Sequence, residues 1–149
     1  LVGHGYRTNQ AGIEQLRGVL APHDVEVIAA PLPYGHGPDA CLHLMSLISV
    51  LDHDERVALV DLAWLAVQTV ELLRARGFTL IEIDTTERDA LGCNVVSLGH
   101  KLLVALEGSP ATIARMRDAG FDVRTFPGSE LCDNGSGGPT CLTRPILRH

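Results

Sequence analysis

The feature that most constrains the fold is an order of apolar segments, strand, strand, helix, strand, that occurs twice along the chain. In the first copy, residues 42–51 and 56–61 read as two strands joined by the polar turn 52–55. A helix fits 63–76 and is stopped by Gly77, and residues 78–83 alternate as a strand. In the second copy, 94–98 and 102–106 read as strands, and a helix over 110–119 starts at Pro110 behind a capping Ser109. Gly120 and a strand over 122–126 complete it. A strand at 1–5, a helix over 10–20 capped by Thr8 or Asn9, and the β-branched run 25–30 give the second half of a further copy. The turn-rich stretch 31–39 follows it. The tail, 132–149, opens with the glycine-rich run 133–139 and ends in a strand-like segment, 140–147. The expected class is α/β, built from repeated ββαβ modules.

A chain of 149 residues, 46% hydrophobic and 20% charged, can bury one domain's core. Its net charge of -6 argues against a nucleic-acid partner, which asks for a basic face, and suits a cationic small molecule. No apolar run approaches the roughly 18 residues that a membrane span needs. The longest, near 57–70, is broken by Asp61 and Gln68, so no membrane partner is expected. His4 and Arg7 follow only two apolar residues, unlike a signal peptide, and the expected compartment is cytoplasmic.

Cys41, Cys93, Cys132 and Cys141 form no C-x-x-C pair and read as free thiols. His4, His36, His43 and His53 lack H-x3-H or H-E-x-x-H spacing, so no metal is expected. The glycine run lacks the G-x-x-x-x-G-K-[ST] pattern of a phosphate cradle, and no other cofactor is called for.

Three residues could carry chemistry. Cys141 follows Gly137-Gly138-Pro139-Thr140, where glycines let the backbone approach a ligand closely. It is either a nucleophile, which needs a base or positive charge nearby, or a small buried residue. His43 lies in Leu42-His43-Leu44-Met45-Ser46-Leu47, with Leu42 and Leu44 on one face of a strand and His43, Met45 and Leu47 on the other. It is either a satisfied core residue or a proton carrier. Arg7, at a strand-to-helix turn, is either a bidentate carboxylate ligand or a solvated surface residue.

Four stretches, in order, resemble the dimethylargininase branch of the guanidino-group-modifying (pentein) superfamily, relatives of arginine deiminases and amidinotransferases. Val2-Gly3-His4-Gly5-Tyr6-Arg7-Thr8-Asn9 is similar to the family's strand and turn ending in R-T-N. Leu42-His43-Leu44 resembles its catalytic-histidine motif, and Gly92-Cys93-Asn94-Val95 its x-x-N strand start. Gly137-Gly138-Pro139-Thr140-Cys141-Leu142-Thr143-Arg144-Pro145 resembles its terminal cysteine signature.

The resemblance implies a propeller of five ββαβ modules around a polar channel, with about three present here. Residues 1–149 would then be the C-terminal portion of one catalytic domain. It implies Cys141 as nucleophile, His43 as general acid/base, and Arg7 as the holder of a substrate carboxylate. The implied reaction converts methylated arginine to citrulline and an alkylamine through a covalent Cys-thiouronium. The alternatives are an arginine deiminase or amidinotransferase, or a non-catalytic module that binds arginine derivatives.

Two departures bear on these expectations. The family's second catalytic acid lies in an E-x-G-D motif upstream of R-T-N, which falls before Leu1, so residues 1–149 alone are expected to show no turnover. Deiminases and amidinotransferases resemble H-x-D where this chain has His43-Leu44-Met45, which favours the dimethylargininase branch. Exposed sheet edges in a partial propeller would favour association, so a homo-oligomer is among the expected states.

Overall fold

Three times along the chain a helix joins two strands that pair in parallel, and twice an antiparallel strand precedes that unit. The structure, a computed structural model, describes residues 1–38, 42–144 and 146. β1 (Val2–His4), α1 (Gln10–Leu20) and β2 (Ala29–Pro31) form the first unit. β3 (Ile48–Asp52), β4 (Val57–Val60), α2 (Val67–Ala75) and β5 (Thr79–Glu82) form the second. β6 (Val96–Gly99), β7 (Leu102–Leu106), α3 (Pro110–Asp118) and β8 (Asp122–Phe126) form the third.

The sheets are β1-β2, β3-β4-β5 and β6-β7-β8. Both antiparallel hairpins carry a register shift at the same place, between Val50 and Asp52 and between Ser97 and Gly99. The ββαβ repeat read from the sequence is therefore present twice.

The helix ends repeat as well. Gly77 takes φ +78°, a left-handed conformation that costs glycine little, and its N–H bonds to Arg74 O at 2.9 Å. Phe78 N then reaches back to Leu73 O at 3.0 Å and its ring packs on the core. After α3, Gly120 and Phe121 repeat this arrangement with Arg117 and Met116.

The strand β4 is buried on both faces, and its alternation splits the core. Val57 and Leu59 enter a cluster with Leu103, Met116 and Phe121, while Ala58 and Val60 enter one with Leu47, Leu65 and Leu73. The second and third units meet along β3 and β6, where serines replace a backbone ladder. Ser49 Oγ donates to Cys93 O at 2.6 Å, and Ser97 Oγ donates to Leu51 O at 2.7 Å.

Four local expectations are corrected. Residues 42–47 are not strand: Leu44–Ser46 form a 3-10 turn, closed by Ser46 N to His43 O and Leu47 N to Leu44 O, both 2.9 Å. The turn breaks the two-residue alternation, so Leu47 faces the core while His43 and Met45 are exposed. The helix expected from 63 starts at Val67, because Asp61 O accepts from Trp64 N and Leu65 N, and Ala66 is extended. Ser109 gives no side-chain cap; Glu87 reaches across and accepts from Ala111 N and Thr112 N, each at 2.8 Å. Lastly, residues 140–147 do not begin a strand: Pro139–Leu142 form one helical turn, α4, with proline at its first position. Pro145 and residues 147–149 lie outside the described residues, as does Cys41.

Candidate active site

Cys141 stands in the helical turn α4 with its side chain exposed. The loop that carries it is pinned to the start of β6. Thr140 N donates to Asn94 Oδ1 at 2.9 Å, and Thr140 Oγ1 donates to Val95 O at 3.1 Å. Asn94 Nδ2 then donates to Cys141 Sγ at 3.1 Å. Gly138 lies flat against this amide. Its φ of -77° is open to any residue, but an added Cβ would sit 2.5 Å from Asn94 Cγ. What the position demands is space, not left-handed freedom.

The other described thiols are sequestered. Cys93 is 2% exposed and Cys132 is 0% exposed. Burial pushes the Cys93 thiol up to about 12, and the nearby Asp61 charge adds to it. Burial also pushes the Cys132 thiol up. The thiolate is the reactive form of cysteine, so neither is suited to nucleophilic work.

Asn94 also lines a cleft of about 230 Å³, together with His36, Leu42, Ser46, Leu47, Trp64, Arg88, Asp89 and Leu91. The lining residue Arg88 belongs to a charge pair that the motifs did not indicate. Asp61, at the end of β4, is 0% exposed and accepts from both Nε and Nη2 of Arg88. The Asp61 carboxylate raises the Arg88 guanidinium above its ordinary value. That guanidinium lies 4.9 Å from the Trp64 ring centre, and His36 packs on the same ring at 5.4 Å.

His43 heads the 3-10 turn on the chain segment that forms another wall of the cleft, between Leu42 and the lining residues Ser46 and Leu47. Met45, two residues on, is 44% exposed. Arg7 sits on a tight turn closed by Gly5 N to Thr8 O at 3.1 Å, ahead of Asn9, which caps α1 through Gly12 N at 2.9 Å. It is exposed and does not line the cleft. Thus Cys141 joins Asn94, and through Asn94 the cleft; the His43 segment borders that cleft; Arg7 stands apart.

Sequence reasoning missed Asn94 as a contact of Cys141, and it missed the Asp61–Arg88 pair. A signal for the pair existed, since a carboxylate closing the wholly apolar run Val57–Val60 must find a partner when buried.

The family model described as "Arginine deiminase" matches residues 61–148, more than half of the chain. An arginine deiminase of Mycobacterium marinum is 30% identical over 176 residues, covering 99% of this chain and 43% of that protein. The chain thus spans less than half the length of this curated relative. The N-terminal domain of ArgZ, a cyanobacterial arginine dihydrolase bound to product, superposes with a TM-score of 0.78 at 20% identity, covering 98% of this chain and 50% of that one. DDAH from Pseudomonas aeruginosa, complexed with citrulline, gives 0.70 at 22% identity, covering 93% of this chain and 48% of that one. These two establish the fold, while the family match covers most of the candidate site, including Asp61, Arg88, Asn94 and Cys141. The chain belongs to the arginine deiminase family, within the guanidino-modifying superfamily that its four motifs resemble.

Proposed function

We propose that the chain is the C-terminal part of a hydrolase that cleaves a C–N bond of an arginine-like guanidino group, in a five-module propeller of which it forms about three. Cys141 is the nucleophile, His43 the general acid/base and Arg7 the ligand of the substrate carboxylate. The observation that carries this reading is the contrast among the described thiols. Cys141 alone is exposed, and a buried amide donates to its sulfur, whereas Cys93 and Cys132 are sealed in the core.

The chemistry balances without a cofactor. The thiolate adds to the guanidinium carbon, and the departing amine takes a proton from His43 as its C–N bond breaks. This leaves a thiouronium on Cys141. His43 then removes a proton from water, the hydroxyl adds to the same carbon, the C–S bond breaks to return the thiolate, and the hydroxyl proton passes to solvent. The products are an amine and a ureido compound, citrulline when the substrate derives from arginine.

The preferred substrate in this reading is an N-methylated arginine, because the residue two beyond His43 is Met45, which offers no carboxylate to a bare guanidinium. A second reading, unmodified arginine, is favoured by the family match and by the name of its mycobacterial relative.

The test is covalent labelling of the chain expressed with the coding sequence upstream of Leu1. Chloroacetamidine, which mimics the guanidinium, is expected to modify Cys141 faster than neutral chloroacetamide does, and dimethylarginine is expected to protect it. Equal rates for the two reagents, with no protection, would rule the reading out.

A further inference from the structure

We infer that Asn94 is the positioning residue of the nucleophile, holding Cys141 Sγ as a hydrogen-bond acceptor through an amide whose orientation the fold fixes. This rests on the reading of Cys141 as nucleophile and adds the group that places it. Nothing in the local sequence assigns such a role, since Asn94 reads there only as the start of a strand.

The argument turns on which end of the amide faces the sulfur. An asparagine side chain carries one accepting oxygen and one donating NH2, which can exchange places by rotation about χ2. Here the exchange is closed off. Thr140 N is a backbone N–H, which can only donate, and it lies 2.9 Å from one end of the amide. That end must be the oxygen, so the NH2 faces Cys141 Sγ at 3.1 Å. The flip would set two donors against each other in a buried place, since Asn94 is 2% exposed.

Three further contacts fix the geometry. Asn94 N donates to Leu91 O at 2.8 Å, which sets the backbone ahead of β6. Thr140 Oγ1 ties the cysteine loop to Val95 O. Gly138 packs so closely on the amide that no larger residue leaves it room. The same short loop therefore supplies both the atom that orients the amide and the sulfur that the amide serves.

A donor fixed on sulfur helps twice in the proposed reaction. It aims the attacking lone pair, and it meets the charge that returns to sulfur when the C–S bond breaks.

The decisive variant is Asn94→Asp. It matches asparagine in shape and still accepts from Thr140 N, but as a carboxylate it offers sulfur no proton. The readout is the rate of Cys141 alkylation by iodoacetamide between pH 6 and 10, resolved by peptide mass spectrometry, on residues 1–149 as they stand. The expected result is at least a tenfold slower reaction at pH 7, with the rate–pH curve moved to higher pH and the circular dichroism unchanged. A rate within twofold of the unsubstituted chain, on an unmoved curve, would overturn the inference.

Should Asn94→Asp fail to fold, the unsubstituted protein answers by NMR. The Asn94 side-chain amide resonances are expected to move as Cys141 titrates, and to stay still in Cys141→Ala; no movement in either protein would overturn it. Alkylation needs no substrate, so the two ideas fail separately. A slowed Asn94→Asp in a protein without turnover removes the hydrolase and keeps the positioning role. Turnover with an indifferent Asn94→Asp does the reverse.

Discussion

Burial separates thiols that are chemically alike. Cys93 points into the core beneath β4, with its sulfur 3.5 Å from Leu59 O, whereas Cys141 is exposed and bonded to an amide. In the native protein iodoacetamide is expected to modify Cys141 and leave Cys93 and Cys132 untouched until denaturant is added, a pattern that peptide mapping reads directly. The raised Cys93 thiol also makes stability depend on pH. The folded protein holds that proton up to about 12, while the unfolded chain releases it near 9.0. Unfolded molecules therefore bind fewer protons in this window. The contribution is complete below pH 9 and is lost as pH rises toward 12, by up to about 1.4 kcal/mol per pH unit. Denaturant titrations of Cys93→Ala are expected to show a shallower fall over the same range; an identical fall would show that Cys93 is not its source.

At the scale of elements, α3 shows how a distant residue can replace a local cap. Ser109 precedes Pro110 as a capping serine would, yet its Oγ is buried without a hydrogen-bond partner, and Glu87 serves the free N–H groups of Ala111 and Thr112 instead. A carboxylate at a helix N-terminus also meets the favourable end of the dipole. Glu87→Ala is expected to lower stability by about 1–2 kcal/mol, and Ser109→Ala by less than about 0.5 kcal/mol, both by thermal or urea unfolding. The reverse ranking would return the cap to Ser109.

The same element shows what the sequence could disclose. The bounds of α1, β7 and β8 follow from periodicity and local punctuation, because each is decided within its own segment. The start of α2, the cap of α3 and the turn at Leu44–Ser46 depend on Asp61, Glu87 and Leu47, whose partners come from elsewhere in the fold. Thr140 carries strand propensity, but Pro139 and the tie to Asn94 set it in a helical turn. In the candidate site, Cys141 and His43 were legible as motif residues. Asn94 was legible as the start of a strand but not as a contact of Cys141, since that partner lies 47 positions away along the chain.

Across the whole molecule, the two ββαβ units share one apolar cluster, and side-chain hydrogen bonds stand where a backbone ladder would between β3 and β6. A further link is Asp61 of the second unit with Arg88 of the connection to the third, where Arg88 also lines the cleft. Arg88→Ala would strand a fully buried carboxylate and is expected to cost about 3–5 kcal/mol. Asp61→Asn is expected to cost less, because Arg88 retains 24% exposure of its side chain and can reach water. Equal losses in urea unfolding would mean that the pair stabilises through packing alone.

The central claim concerns the whole protein, of which this chain spans about 43% in its curated relatives. It is tested most directly by citrulline formation from dimethylarginine and from arginine, using the chain with its upstream coding sequence beside Cys141→Ser and beside residues 1–149 alone. The account predicts citrulline from the longer protein, more from dimethylarginine than from arginine, and none from either control. Citrulline from Cys141→Ser, or none from the longer protein with either substrate, would contradict it.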